Sequence, residues 1–217
     1  MKKTWCLVFC CMLAGCADKK SYQDMDAGAM YQAYTSAANS EKYQDALDIG
    51  QSFVAQYPTD IHVEELRVGV LAAYVELGSY SLASEYADRL LNNGLVAAHY
   101  HSEVSYLKIS AGYLWSQHWM ARKFNLKERY CNMQKLDEIF QEARAFSVNY
   151  PQSPKVASVL EIASELENVL AQHDLKIAAL NAKSGRPEAV GRRLAKLAIE
   201  FPNADVSNSI DQLVSGQ

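Results

Sequence analysis

The sequence predicts an all-α protein built as a succession of helix pairs joined by short turns, and three observations carry that prediction. Apolar residues recur at helical spacing over nearly the whole body of the chain. Pro58, Pro151 and Pro202 each follow an aromatic residue at the end of an amphipathic run. A short pattern beginning at Tyr43 returns at Tyr80. No stretch of strict apolar–polar alternation between turn residues competes with these signals.

Taken in order, the chain opens with MKKTWCLVFCCMLAGC. Lys2 and Lys3 make a positive start, and the apolar stretch Trp5 to Ala14 has the length of a secretory h-region, too short to span a membrane as a helix. It ends in Leu13-Ala14-Gly15-Cys16, which resembles a bacterial lipobox. The resemblance implies that residues 1–15 are a lipoprotein signal peptide and that Cys16 is cleaved free and acylated, with palmitate among the expected chains. Several acyl chains supply the two or more signals that stable anchoring needs. Asp directly after the Cys retains enterobacterial lipoproteins at the inner membrane. Here Ala17 holds that place, so the expected address is the outer membrane.

Residues 16–28 include the polar, aperiodic stretch ADKKSYQDMDAG and read as a lipidated tether. Residues 29–217 read as the folded body: repeats over 29–114, an insertion or unpaired helix end over 115–131, and more degenerate repeats over 132–217. Tyr43, Ala46, Leu47, Gly50, Phe53, Val54 and Tyr57 share one helical face. So do Leu136, Ile139, Phe140, Ala143, Phe146 and Tyr150. A longer stripe runs from Val156 through Val159, Leu160, Ala163, Leu166, Val169, Leu170, His173 and Ile177 to Leu180. Proline excludes the helical region for the residue before it, so the three aromatic–proline pairs end helices. Gly78 and Gly94 mark two further breaks.

Tyr43-x-x-Ala46 recurs as Tyr80-x-x-Ala83, 37 residues on, each opening the second helix of a pair. Tyr74, Gly78, Tyr80 and Ala83 resemble the core of a tetratricopeptide (TPR) repeat, with small residues where paired helices cross and Tyr rings in the groove beside them. The expected architecture is an α-solenoid of about five such units.

Charge and cysteine usage narrow the function. The net charge is −4 and falls to −6 once residues 1–15 are removed, which takes away the electrostatic basis for nucleic-acid binding. A mean hydropathy of −0.19 excludes a polytopic membrane protein. With Cys16 acylated, Cys131 has no partner within the mature chain, so packing rather than a disulfide holds the fold.

Candidate chemistry is sparse. His99 and His101 are two residues apart, about 200° on a helix, and no further ligand completes a metal site. His173 reads as a core or inter-repeat histidine, Cys131 as a small buried hydrophobe, and Trp115 and Trp119 as packing residues one turn apart. No nucleophile elbow, phosphate loop or zinc motif is present. No cofactor, metal or catalytic residue is expected. Arg192 and Arg193 stand out. About 100° per residue places Arg193 on the shoulder of the Val190, Leu194, Leu197 and Phe201 stripe, and Arg192 almost opposite it. A shoulder guanidinium is partly desolvated and suited to a carboxylate. Helix geometry leaves two readings open: Arg193 pairs with an acidic neighbour in its own repeat, or it contacts a partner, in which case reversing its charge weakens partner binding and leaves the fold intact.

The lipobox, the AQYP stop (55–58), the Tyr74 to Ala83 pair, EARAFSVNYPQSP (142–154), LAQHDLKIA (170–178) and SGRPEAVGRRLAKLAIEFPNAD (184–205) together resemble the BamD (ComL) family of outer-membrane assembly lipoproteins. The departures are TDIHVEE at 59–65, LNNG at 91–94, and an end at Gln217 about one helix early. The resemblance implies a non-enzymatic component of the β-barrel assembly (Bam) machinery, lipid-anchored at the periplasmic face of the outer membrane. Its implied partners are a BamA-like barrel insertase, other Bam lipoproteins and unfolded outer-membrane proteins. Eight residues beyond Gly185, Arg193 matches the family's arginine that contacts the last periplasmic domain of BamA. A TPR lipoprotein scaffold for pilus secretin or peptidoglycan assembly is the alternative, and an envelope enzyme with an unrecognised site a third.

Overall fold

The computed structural model describes residue 22, residues 24–117 and residues 133–205. The signal peptide, Cys16, Trp119, Cys131, most of the insertion and residues 206–217 lie outside the described residues. Within them, all regular structure is helical: eight α-helices and one 3₁₀ turn. The helices are α1 (Ala27–Asn39), α2 (Tyr43–Gln56), α3 (Val63–Glu76), α4 (Tyr80–Asn92), α5 (His101–Ser116), α6 (Met133–Asn149), α7 (Val156–Lys183) and α8 (Pro187–Glu200). The 3₁₀ turn, Ala98–Tyr100, leads into α5.

The stops lie where proline and glycine demand them. α2 ends at Gln56 and α8 at Glu200; Tyr57 and Phe201, each before a proline, adopt nearly the same non-helical backbone (φ −124°, ψ 56° and φ −129°, ψ 58°). α3 ends with Gly78 at φ 71°, where the Ser79 N–H donates to the Tyr74 carbonyl and the Gly78 N–H to that of Val75. These two bonds satisfy carbonyls the helix end would otherwise leave bare, and the left-handed residue they require is cheapest as glycine. Tyr43 and Tyr80 are the first residues of α2 and α4.

Each helix packs on the one before it, and α3, α5 and α7 also touch in succession, as the first helices of stacked pairs do in a solenoid. The described residues contain four such pairs. The core is correspondingly a chain of linked clusters. Met30, Ile49, Phe53 and Leu66 join α1, α2 and α3. Leu71, Ala83, Ala87, Leu90 and Val104 join α3, α4 and α5. Ile109, Phe140, Phe146, Leu166 and Leu197 join α5 to α8. Helix α3 serves three clusters, the third made by Val70 and Ala73 with Leu47 of α2, and α5 serves two, because different faces of each meet different neighbours.

Two sequence expectations need adjustment. Tyr22 and Met25, in the segment read as tether, pack against the first cluster, and α1 starts at Ala27 with Asp26 accepting from the Ala29 N–H as its cap. Along α7 the buried face does not follow the apolar stripe to its end. Leu160 and Leu180 are exposed, whereas Ala171, Asp174, Leu175 and Ala178 are buried. The helix keeps one side to its neighbours, and a carboxylate rather than His173 or Ile177 occupies it.

Candidate partner-binding site

The pair α7 and α8 positions the site. Gly185 (φ 65°) ends α7 with the same two-bond closure as Gly78, through the Arg186 and Gly185 N–H groups. Pro187, at the start of α8, tolerates the missing donor there. Val190, Leu197 and Phe201 then bury one side of α8 against α7. That register points Arg193 at the flank of α7 and Arg192 away from it.

Arg193 Nη1 donates to Asp174 Oδ1 at 2.9 Å; the Arg193 side chain is 31% exposed and that of Asp174 only 7%. Lys196, one turn along from Arg193, places Nζ 3.0 Å from Asp174 Oδ2 and 3.3 Å from Glu200 Oε2. Lys196 thus pairs with the second carboxylate oxygen of Asp174 as an ion pair. Burial pulls the Lys196 ammonium down, and Asp174 and Glu200 more than reverse this, holding it above the usual lysine value. A carboxylate this buried is tolerable because two cations face it. Arg192, by contrast, is 75% exposed and only 3.9 Å from Glu188, one turn back on its own helix. Such an exposed pair contributes little.

This arrangement corrects one expectation. Arg193 already neutralises a buried carboxylate, so Arg193→Glu would set two like charges together and disturb the fold. Asp174 and Lys196 were not singled out from the sequence. The signal was present, because Asp174 falls at helical spacing with Ala171 and Ala178, and an acid on a buried face requires cations opposite it.

A second buried acid on α7, Glu167, accepts from the Asn203 N–H at 2.9 Å, and Asn168 accepts from the Asp205 N–H at 2.9 Å. These bonds fix the segment after α8 against α7, much as Glu64 and Arg67 on α3 hold the backbone of Ala97 and Leu95. The remaining candidates stay apart. His99 sits in the 3₁₀ turn beside the Tyr100 ring, and His101 begins α5. His173 is half-buried, and Trp115 stands partly exposed at the end of α5. Among the described residues no three potential metal ligands converge, and no helix is long and apolar enough to cross a membrane.

No curated protein sequence matches this chain. The family model described as "YfiO: Outer membrane lipoprotein" matches residues 23–213, which span every described helix. With the stacked helix pairs, that match places the chain in a family: it belongs to the YfiO family of outer membrane lipoproteins, of the Bam type.

Proposed function

We propose that this chain is a non-enzymatic adaptor of the β-barrel assembly machinery. Acylated Cys16 anchors it to the periplasmic face of the outer membrane, and its solenoid binds the barrel insertase, other lipoproteins of the machine and incoming barrel precursors. The solenoid suits this work, because stacked pairs present an extended surface that receives a partner domain or an extended segment without any catalytic group.

The observation that carries the proposal is Arg193. Its guanidinium is partly desolvated, held at one end by a buried carboxylate and open at the other. It occupies the position that the family resemblance assigns to the insertase contact. Loss of one member of a buried charge pair at an interface costs on the order of 2–5 kcal/mol. A micromolar complex rests on only about 8 kcal/mol, so that loss is enough to disrupt it.

The experiment is co-purification after mild detergent extraction, with the wild type, Arg193→Gln and Arg192→Gln compared. The insertase is expected as the main stoichiometric partner of the wild type, lost with Arg193→Gln and kept with Arg192→Gln. Gln is the informative replacement because it removes the guanidinium while keeping a polar side chain and adding no like charge beside Asp174. Recovery of a secretin or a peptidoglycan synthase in place of the insertase would shift the assignment to another envelope machine.

A further inference from the structure

We propose that Asp174 is a positioning residue: it fixes one nitrogen of Arg193 so that the rest of the guanidinium faces outward to take a carboxylate of the partner, while Lys196 occupies the second oxygen of Asp174. The proposal rests on Arg193 being a partner contact and adds how that contact is prepared.

A guanidinium offers five N–H donors in a rigid plane, and a carboxylate that closes on it with both oxygens uses a whole edge. Here that closure is blocked. Only Nη1 of Arg193 reaches Asp174, through Oδ1. Oδ2 is buried and lies 3.0 Å from Lys196 Nζ instead. Among the described residues the Arg193 guanidinium makes no other hydrogen bond or ion pair. Its remaining donors are therefore available, and its orientation is set before any partner arrives. A long side chain that is already ordered loses less freedom on binding, which favours affinity. Asp174 itself is too buried to meet a partner, so any effect it has on binding must pass through the side chains it holds. The acceptor that matches the free edge is an Asp or Glu side chain on the insertase.

The two roles separate in a double-mutant cycle. The measured quantity is the affinity of the full-length lipoprotein for the soluble periplasmic portion of the insertase from the same cell, for Asp174→Asn, Arg193→Gln and both together. Asp174→Asn is expected to weaken binding roughly tenfold, within the coupling range of residues in contact. The double variant is expected to bind no more weakly than Arg193→Gln alone. A purely structural Asp174 would instead add its full penalty to that of Arg193→Gln, which would overturn the proposal while leaving Arg193 a partner contact. No effect of Arg193→Gln would overturn both. Should Asp174→Asn fail to fold, Lys196→Met tests the same geometry. With Oδ2 released, Arg193 is expected to close on both oxygens and binding to weaken, but only while Arg193 is present. Wild-type affinity for Lys196→Met would then overturn the proposal.

Discussion

The hydroxyl of Tyr34, on α1, occupies the space beside Gly69, on α3, that a methyl group there would fill. Gly50, on α2, faces the same ring, and a methyl group at Gly50 would also stand 2.7 Å from Val70 Cγ2. Two glycines on neighbouring helices thus make the slot in which a tyrosine from the first helix lies.

This slot makes Gly69→Ala informative, because two effects oppose each other. Alanine favours the helix by about 1 kcal/mol relative to glycine. Displacing a packed ring costs about 1–3 kcal/mol. The expected result is a lower melting temperature for Gly69→Ala. Adding Tyr34→Phe, which removes the obstructing hydroxyl, is expected to restore part of the loss. A melt for Gly69→Ala at or above the wild type would mean that Tyr34 moves aside freely.

Much of this fold was legible in the sequence because its punctuation is chemical. Tyr57 and Phe201 cannot continue a helix into the following proline, and Tyr43 and Tyr80 open helices at matching repeat positions. The far half of α7 was less legible. Apolar spacing pointed to His173, Ile177 and Leu180, but the packed side carries Asp174, whose burial depends on Arg193 and Lys196 from a helix that begins after a turn. A pattern within one helix does not reveal charges supplied by another. The same limit hid the reason why Arg193 sits where it does: its shoulder position follows from helix geometry, and its buried partner does not.

Ala83 is fully buried in the cluster that joins α3, α4 and α5, whereas Ser84, one step around α4, is only partly covered. Leucine at Ala83 adds bulk at a packed site, with an expected cost of about 1–3 kcal/mol. Ala83→Leu is therefore expected to lower the melting temperature clearly and Ser84→Leu much less. Equal losses in the two melts would contradict the repeat register that makes Ala83 the counterpart of Ala46.

Glu41 offers a gain rather than a loss. It is exposed, has φ 56°, and closes α1 with the bonds that Gly78 and Gly185 support elsewhere: the Lys42 N–H donates to the Ala37 carbonyl and the Glu41 N–H to that of Ala38. A left-handed backbone costs a residue with a side chain roughly 1–2 kcal/mol, which glycine avoids. Glycine is also freer in the unfolded chain, and this offsets part of the advantage. Glu41→Gly is expected to raise stability by about 1 kcal/mol in a denaturant melt, with the slope unchanged. A loss of stability would show that the Glu41 side chain contributes more than its backbone strain costs.

The anchor requires a test that separates lipid from protein contacts. If Cys16 carries several acyl chains, membrane attachment is effectively stable, whereas one chain alone gives only marginal binding. Cys16→Ser is expected to leave the chain soluble in the periplasm or uncleaved at the inner membrane, as read by cell fractionation and by the mass of the mature amino terminus. Fractionation of that single variant is ambiguous in one direction, because a protein bound to an outer-membrane insertase sediments with it whether or not it is acylated. Combining Cys16→Ser with Arg193→Gln removes both attachments. The double variant is expected to be absent from the outer membrane, whether soluble or uncleaved at the inner membrane, and Arg193→Gln alone to stay in the outer membrane, held by its lipid. If the double variant still fractionates with the outer membrane, and the amino terminus carries no acyl mass in the wild type, Cys16 is not the anchor and attachment resides in the solenoid itself.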